Sequence, residues 1–344
     1  MLCAAWHWLS ENICPLSKVN KYLTEVYTVT SNTGNTDRLR TLIQKMRLAY
    51  QRGENAMACA REILGESENS LIATLISYDL QAGSYISAVK NNPEFQERWC
   101  HQVASIINPL IKDKKQFTLL EVGCGEATTL RGVLEKLSHV PEYALGFDLS
   151  WSRVAHGLHH LSEKQIQASL FVADLFNIPL ADDSIDIVYT SHSLEPNGGR
   201  EKEAIKELLR VARHAVVLIE PIYELASPEA QERMRYHGYI RGLKDVATKL
   251  GAIVTNYKLQ DFTPNPLNNP LNPSGLLILE KATTVNSTLG ISWCCPLTRT
   301  RLEDIGDVFE SKETGLVYPV LRGIPMLNSS NAIVASGITD GSIT

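Results

Sequence analysis

The sequence contains no run approaching the roughly 18 uninterrupted apolar residues that a membrane-spanning helix needs, so membrane integration is set aside. It also lacks a basic excess. Lys and Arg number 33 against 38 Asp and Glu, a formal net charge of -5, and no arginine-rich or aromatic nucleic-acid motif stands out. Nucleic acid is therefore not expected as a partner. Nor is there a disulfide framework. The seven cysteines, Cys3, Cys14, Cys59, Cys100, Cys124, Cys294 and Cys295, are odd in number and scattered, which suits a reducing, cytoplasmic setting. The apolar run Met1 to Leu9 has no basic flank and no small-residue cleavage site, so a secretory leader is not expected. No internal repeat or low-complexity tract is evident.

What is present is an ordinary globular composition over 344 residues, 44% hydrophobic and 21% charged. The polar cluster Ser31 to Asn35 reads as a loop before a helix capped near Thr36 or Asp37. Leu39, Leu42, Ile43 and Met46 mark one helical face. Leu71, Leu75 and Tyr78 mark another, and so do Phe95, Trp99, Val103, Ile106 and Leu110. From Phe117 short apolar runs alternate with amphipathic stretches, the pattern of βαβ units. Strands are predicted at Thr118–Val122, Tyr143–Asp148, Leu170–Ala173, Ile185–Ser191, Ala215–Glu220, Ile253–Leu259 and Leu276–Glu280. The expected fold is α/β: a seven-stranded, mainly parallel Rossmann-like sheet with helices on both faces, a helical region before it and a small β-rich appendage after it. The expected division is 1-116, 117-282 and 290-330, with a linker at Thr283 to Gly290.

Within this pattern, Leu119-Leu120-Glu121-Val122-Gly123-Cys124-Gly125-Glu126-Ala127 is an apolar strand running into a glycine-rich turn and then a helix. Glycine permits strained dihedrals and lets a ligand lie against the backbone. About twenty residues on, a second strand ends at Asp148, where a carboxylate can accept hydrogen bonds from ribose hydroxyls. A third ends at Asp174, placed to accept from an adenine amino group.

At these residues, over roughly Phe117 to Lys281, the chain resembles the class I S-adenosylmethionine-dependent methyltransferases, whose first motif is an acid-x-Gly-x-Gly turn. The resemblance implies S-adenosylmethionine as cofactor. It implies that Glu121, Gly123, Cys124 and Gly125 surround the methionine and ribose portions, that Asp148 and Leu149 bind the ribose, and that Asp174 and Leu175 frame the adenine. Ser191 closes the set. The usual third small position is Ala127 rather than Gly. A dinucleotide reading needs a glycine three residues beyond Gly125, where Thr128 stands.

The segment Asp182 to Asn197 resembles the family's fourth strand, whose carboxyl end meets donor and acceptor. His192 and Glu195 there are the candidate catalytic groups, His192 as proton acceptor and Glu195 orienting it or the acceptor. The alternative is that His192 packs over the cofactor and Glu195 fixes the turn, with alignment alone supplying the acceleration. Tyr223 and Glu224, after the fifth strand, are candidate acceptor contacts. So are His237, the loop Asn265 to Pro273, and Gln81 and Tyr85 in a polar-aromatic cluster of the helical region, which forms a lid in this reading.

Residues Ser292 to Leu327 resemble the small zinc-ribbon-like activator family that partners methyltransferases, through Cys-Pro-Leu-Thr at 295–298, Gly-Leu-Val-Tyr-Pro at 315–319 and Gly-Ile-Pro-Met-Leu at 323–327. Cys294 and Cys295 are adjacent and no second cysteine pair follows, so no metal is expected. Such a module could cover an apolar patch, support a homodimer or border a substrate entrance. The resulting expectation is a methyltransferase acting on an O or N atom of a small-molecule or glycan-type acceptor. Two alternatives stand beside it: methylation of RNA or protein with a fused activator, and a non-catalytic nucleoside-binding scaffold.

Overall fold

The computed structural model describes residues 33–65, 70–263, 270–281 and 290–338. Met1 to Leu9, Cys3, Cys14, most of the linker and Asn265 to Asn269 lie outside the described residues. The chain forms two compact units, Met1–Ala82 and Gly83–Thr344. The division falls inside the helical region read as 1-116.

The first unit contains α1 (Thr33–Gln51), α2 (Ala56–Leu64) and α3 (Leu71–Leu80). The first of these starts earlier than the cap expected near Thr36 or Asp37. Asn55 and Ser70 cap α2 and α3 by accepting amides of Ala58 and Ala73. Leu42, Met46, Ala56, Ala60 and Ala73 form a core of their own.

The second unit opens with α4 (Ser84–Asn91) and α5 (Pro93–Ile111), then builds the sheet. Its strands are β1 (Thr118–Val122), β2 (Tyr143–Asp148), β3 (Ser169–Val172), β4 (Ile185–Ser191), β5 (Ala212–Glu220), β6 (Ile253–Leu259) and β7 (Gly275–Glu280). Each predicted strand is found, with β3 displaced by one residue and β5 beginning at Ala212. Between them run α6 (Thr128–Leu134), α7 (Trp151–Ser162), α8 (Glu201–Val211), α9 (Pro228–Tyr236) and α10 (Leu243–Lys249). The order is β3-β2-β1-β4-β5-β7-β6. β7 runs antiparallel to both its neighbours, so its first residues meet the carboxyl ends of β5 and β6.

Alternation along each strand supplies two core layers. Leu119, Ile187, Tyr189 and Val217 face Trp99, Val103 and Ile107 of α5, Leu130 of α6 and Val154 of α7. Leu120, Val122, Val188 and Leu218 face Ile205 and Leu208 of α8 and Leu243 of α10. Because both faces are covered, the central strands read as near-continuous apolar runs. The order reverses between β1 and β4, and the connections leaving these two strands diverge there. In open α/β sheets this reversal is where ligands bind.

The C-terminal residues form a small antiparallel sheet of β8 (Glu303–Asp304), β9 (Val308–Ser311), β10 (Leu316–Leu321), β11 (Ile324–Pro325) and β12 (Ile333–Val334). It is joined to the main sheet rather than tethered beside it. Met326 bridges Val172 in parallel, and the Leu327 amide donates to the Val172 carbonyl at 2.8 Å. The free edge of β3 is thereby paired. Cys295, Phe309, Tyr318 and Leu327 belong to the same apolar layer as Phe147 and Phe171, and Trp293 stacks edge-on with Phe171 at 5.0 Å and Phe309 at 5.4 Å. Buried Glu207 on α8 accepts from Arg210 and from Arg299 of the module. Of the three roles expected for the module, covering an apolar face is the one these contacts perform.

A shared core implies shared unfolding. Trp293→Ala is expected to cost about 3 kcal/mol and to lower the midpoint of one urea transition for sheet and module together. Two separated transitions would refute the common core.

Candidate functional site

The first turn after β1 is shaped by its glycines. Gly123 takes φ +70°, and a Cβ there would collide with Ser193, whose hydroxyl donates to the Val122 carbonyl at 2.7 Å. The turn and the segment after β4 therefore touch. Gly125 takes φ +53°, and a Cβ there would meet nothing within 4 Å, so this stretch of backbone is open to a ligand. Ala127 adopts φ +54° as the residue ahead of α6, a conformation the family's glycine enters without strain.

Asp148 lies across from this turn at the end of β2. Its Oδ2 accepts the Gly125 amide at 3.1 Å and its Oδ1 the Ser150 amide at 2.9 Å. Burial raises its pKa, against the Arg153 charge and the backbone amides. Arg153 also lies 5.0 Å from the centre of the Tyr85 ring. Asp174, at the end of the β3 segment, accepts the Phe176 amide at 3.0 Å and is likewise raised by burial. Leu149 and Leu175 are half-buried beside these acids, and Cys124 is buried, its thiol pushed far above the ordinary value by burial and by Glu121.

Glu121 is an acid inside a central strand. It is 2% exposed and stands opposite Tyr189 in the β1–β4 register. Desolvation raises it to about 8, so it is neutral at pH 7, and neither its Oε2 nor the Tyr189 hydroxyl makes a well-formed hydrogen bond. Glu126, in the turn itself, is 1% exposed and accepts the amides of Gly83 and Ile86 at 2.8 Å each. It caps α4 and ties that helix to the glycine turn.

A second polar cluster follows β4. His192 takes φ +54°, uncommon for a residue other than glycine. Its Nδ1 lies 3.2 Å from Glu195 Oε2 and its Nε2 lies 2.5 Å from Ser274 Oγ. An ionised carboxylate only accepts, so Nδ1 carries hydrogen. Burial pulls the imidazole down, yet the hydrogen bond and charge of Glu195, with the charge of Glu220, hold it above its ordinary value. The indole of Trp99 approaches edge-on at 6.0 Å. Glu220, the last residue of β5, is fully buried. Its Oε1 accepts the Ser193 amide at 3.0 Å. Burial lifts it to about 7, opposed by His192 and reinforced by Glu195.

The structure thus brings Glu121, Gly123, Cys124, Gly125, Asp148 and Ser191 to one end of the sheet with His192 and Glu195. Asp174 and Leu175 lie at the neighbouring strand end. Other candidates are engaged elsewhere. The exposed Glu224 carboxylate accepts the Gly242 amide at 2.6 Å, capping α10, and the Tyr223 hydroxyl accepts from Arg235 at 2.5 Å. His237 is exposed at the end of α9, between Tyr236 and Tyr239. Gln81 belongs to the first unit, where its side chain donates to Ser77 Oγ at 2.8 Å. Ser274 and Arg153 do not stand out in the sequence, while Glu126 and Glu220 appear there only within the glycine turn and at the end of the fifth strand. Glu220 ends an apolar strand just as Asp148 does, and that signal could have found it. Ser274 carries no signal, because its place depends on the antiparallel return of β7.

The residues present fit a nucleoside donor: an open backbone at Gly125, strand-end acids at Asp148 and Asp174, and buried carboxyl oxygens of Glu121 and Glu220 outside any well-formed hydrogen bond. Among the described residues no group of three or more His, Cys, Asp or Glu could hold a metal ion. No described helix is long and apolar enough to cross a membrane.

Residues 119–215 match the family described as "Methyltransferase domain". Over 121 residues the chain is 26% identical to ajmaline N-methyltransferase of Rauvolfia serpentina, 35% of this chain and 41% of that protein. The chain thus spans less than half the length of that curated relative. Similar solved structures include magnesium protoporphyrin IX methyltransferase from Synechocystis with bound SAH, at 12% identity and TM-score 0.43, covering 77% of this chain and 99% of that one. Another comes from the complex of a methyltransferase activator with a methyltransferase of Haloferax volcanii, at 14% identity and TM-score 0.45, covering 60% and 98%.

Neutrality of Glu121 has a pH signature. The folded chain keeps this proton up to about pH 8, whereas an unfolded chain loses it near the ordinary value of 4.5. Its contribution is complete below the lower value and lost as pH rises through the upper one. Glu121→Gln should therefore flatten the fall in thermal midpoint across that window. An unchanged slope would mean the carboxyl is ionised in the fold.

Proposed function

We propose that this chain, whose residues 119–215 form a domain of class I methyltransferase fold, transfers a methyl group from S-adenosylmethionine to an O or N atom of a small-molecule or glycan-type acceptor. The observation that carries the reading is the meeting of the Gly123 turn with the His192–Glu195 pair, at the strand-order reversal, through Ser193. When bound, the donor supplies a methyl group already activated by a sulfonium, so the protein's task is alignment and proton removal.

Asp148, Leu149, Asp174 and Leu175 hold the nucleoside, and the Gly123–Gly125 backbone with Glu121 and Ser191 borders its methionine end. On the acceptor side the roles divide. Ser274 already engages Nε2 of His192, so the acceptor's proton goes to Glu195, whose side chain is 20% exposed. His192 stands behind it as countercharge. The small-molecule reading is supported by the acceptor, ajmaline, in the name of the relative at 26% identity. Tyr85, joined through Arg153 to Asp148, is a donor-side contact in this scheme. Tyr223 and Glu224, engaged by Arg235 and the Gly242 amide, and His237 at the end of α9 form an outer rim in this scheme. The five described cysteines are free thiols, which supports a reducing, cytoplasmic setting. A homodimer is compatible with this reading.

Calorimetric titration with S-adenosylmethionine, S-adenosylhomocysteine and NADH tests the donor half. The two sulfur nucleosides should bind and NADH should not, and Asp148→Ala should weaken them about 10- to 100-fold through lost charge-assisted hydrogen bonds. Binding of NADH alone would overturn the reading. Glu195→Gln should keep donor affinity within about twofold yet lower methyl incorporation into fractionated small-molecule extract at least about 100-fold. Incorporation into RNA or protein fractions instead would favour the fused-activator alternative, and donor binding without any incorporation would favour a scaffold.

A further inference from the structure

Two acids lie buried near the carboxyl ends of β1 and β5, strands separated by β4, and they differ in what surrounds them. Glu121 is closed in by Tyr189, Cys100 and the α5 layer. Glu220 sits beneath the segment Ser191 to Ser193, which is half-buried and open on its outer side. Its Oε1 is held by the Ser193 amide, and Ser193 is the residue packed against Gly123. Its Oε2 is buried and makes no well-formed hydrogen bond, with the Thr190 hydroxyl beside it. The groups facing it are His192 and Glu195 after β4, Thr190 within β4, and Ser274 ahead of β7 through the same imidazole. His192 among these is already engaged by Glu195. Glu220 is thus a carboxyl that lacks a charge partner of its own, one residue contact away from the donor turn.

We propose that Glu220 reads the charge on the sulfur of the bound nucleoside, losing its proton when a cationic sulfonium occupies the Gly123–Gly125 turn and keeping it when the neutral thioether does. The inference rests on the donor reading above. The physical basis is that a positive charge nearby favours the ionised form of a carboxyl, and a low-dielectric surrounding strengthens that coupling. The balance is simple: binding the sulfonium converts protonated Glu220 to carboxylate and releases to the buffer the fraction of a proton the free protein carries there, about half at pH 7, while binding the thioether releases none. Because Glu220 is raised to about 7, a proton is available near neutral pH. The consequence is selectivity. The carboxylate favours the reactive nucleoside over the spent one, which limits product inhibition.

The test is titration calorimetry of the full chain at pH 7 in buffers of different ionisation enthalpy, with S-adenosylmethionine and S-adenosylhomocysteine. Wild type should release clearly more protons with the sulfonium than with the thioether. In Glu220→Gln that difference should vanish, and the ratio of the two affinities should move about tenfold toward the thioether. Equal proton release by wild type overturns the proposal without any variant, so a Glu220→Gln protein that does not fold leaves it testable. An unchanged affinity ratio in a folded Glu220→Gln protein also overturns it while the donor reading stands. Failure of both nucleosides to bind wild type overturns both.

Discussion

Burial of the central strands on both faces governs the rest of the structure. A strand covered on both sides commits its backbone to the ladder and its side chains to apolar layers, so polar chemistry is displaced to the strand ends. There the reversal of order between β1 and β4 opens the connecting segments away from one another. The glycine turn, Asp148 and the His192 cluster all fall at that end. At the opposite end Asp186, 4% exposed, joins the Thr118 amide to Arg213, a buried ion pair that binds β1, β4 and β5 together.

The same burial sets the electrostatics. Glu121, Asp148, Asp174 and Glu220 are all raised, with desolvation the largest cause in each. A set of acids at this end suits a cationic ligand better than a phosphate. The left-handed backbone at His192 fits this setting, since such conformations persist where surroundings over-determine them. Here the His192 amide donates to Ile219 at 2.9 Å, and Glu195 and Ser274 hold the two ring nitrogens.

The C-terminal module connects to this site through the chain just after Asp174. The Cys294 amide donates to the Pro179 carbonyl at 3.1 Å, Trp293 bridges Leu180, and Arg299 donates to the Ile178 carbonyl at 2.9 Å. The short 3-10 turn Leu175–Asn177 is therefore buttressed by the module on its far side. Cys295 meets the Tyr318 hydroxyl at 3.1 Å inside the module, so this cysteine contributes a packed hydrogen bond to the module's core.

Local signals carried much of the fold. Apolar runs of strand length between amphipathic stretches placed all seven strands, and the glycine turn with two spaced acids marked the donor side, because these depend on neighbours in sequence. The start of α1 and the outer residues Tyr223, Glu224 and His237 were less legible, since a polar residue's partner is chosen by tertiary neighbours. Glu224 looked like a pocket residue by position and became a helix cap because α10 begins beside it. What the sequence alone determined was the α/β alternation, the turn after β1 and the acids at strand ends, all set by short-range periodicity and backbone preference. Only the tertiary structure decided that Ser274 and Glu220 join His192, because the reversed β7 carries one into reach and desolvation gives the other its proton.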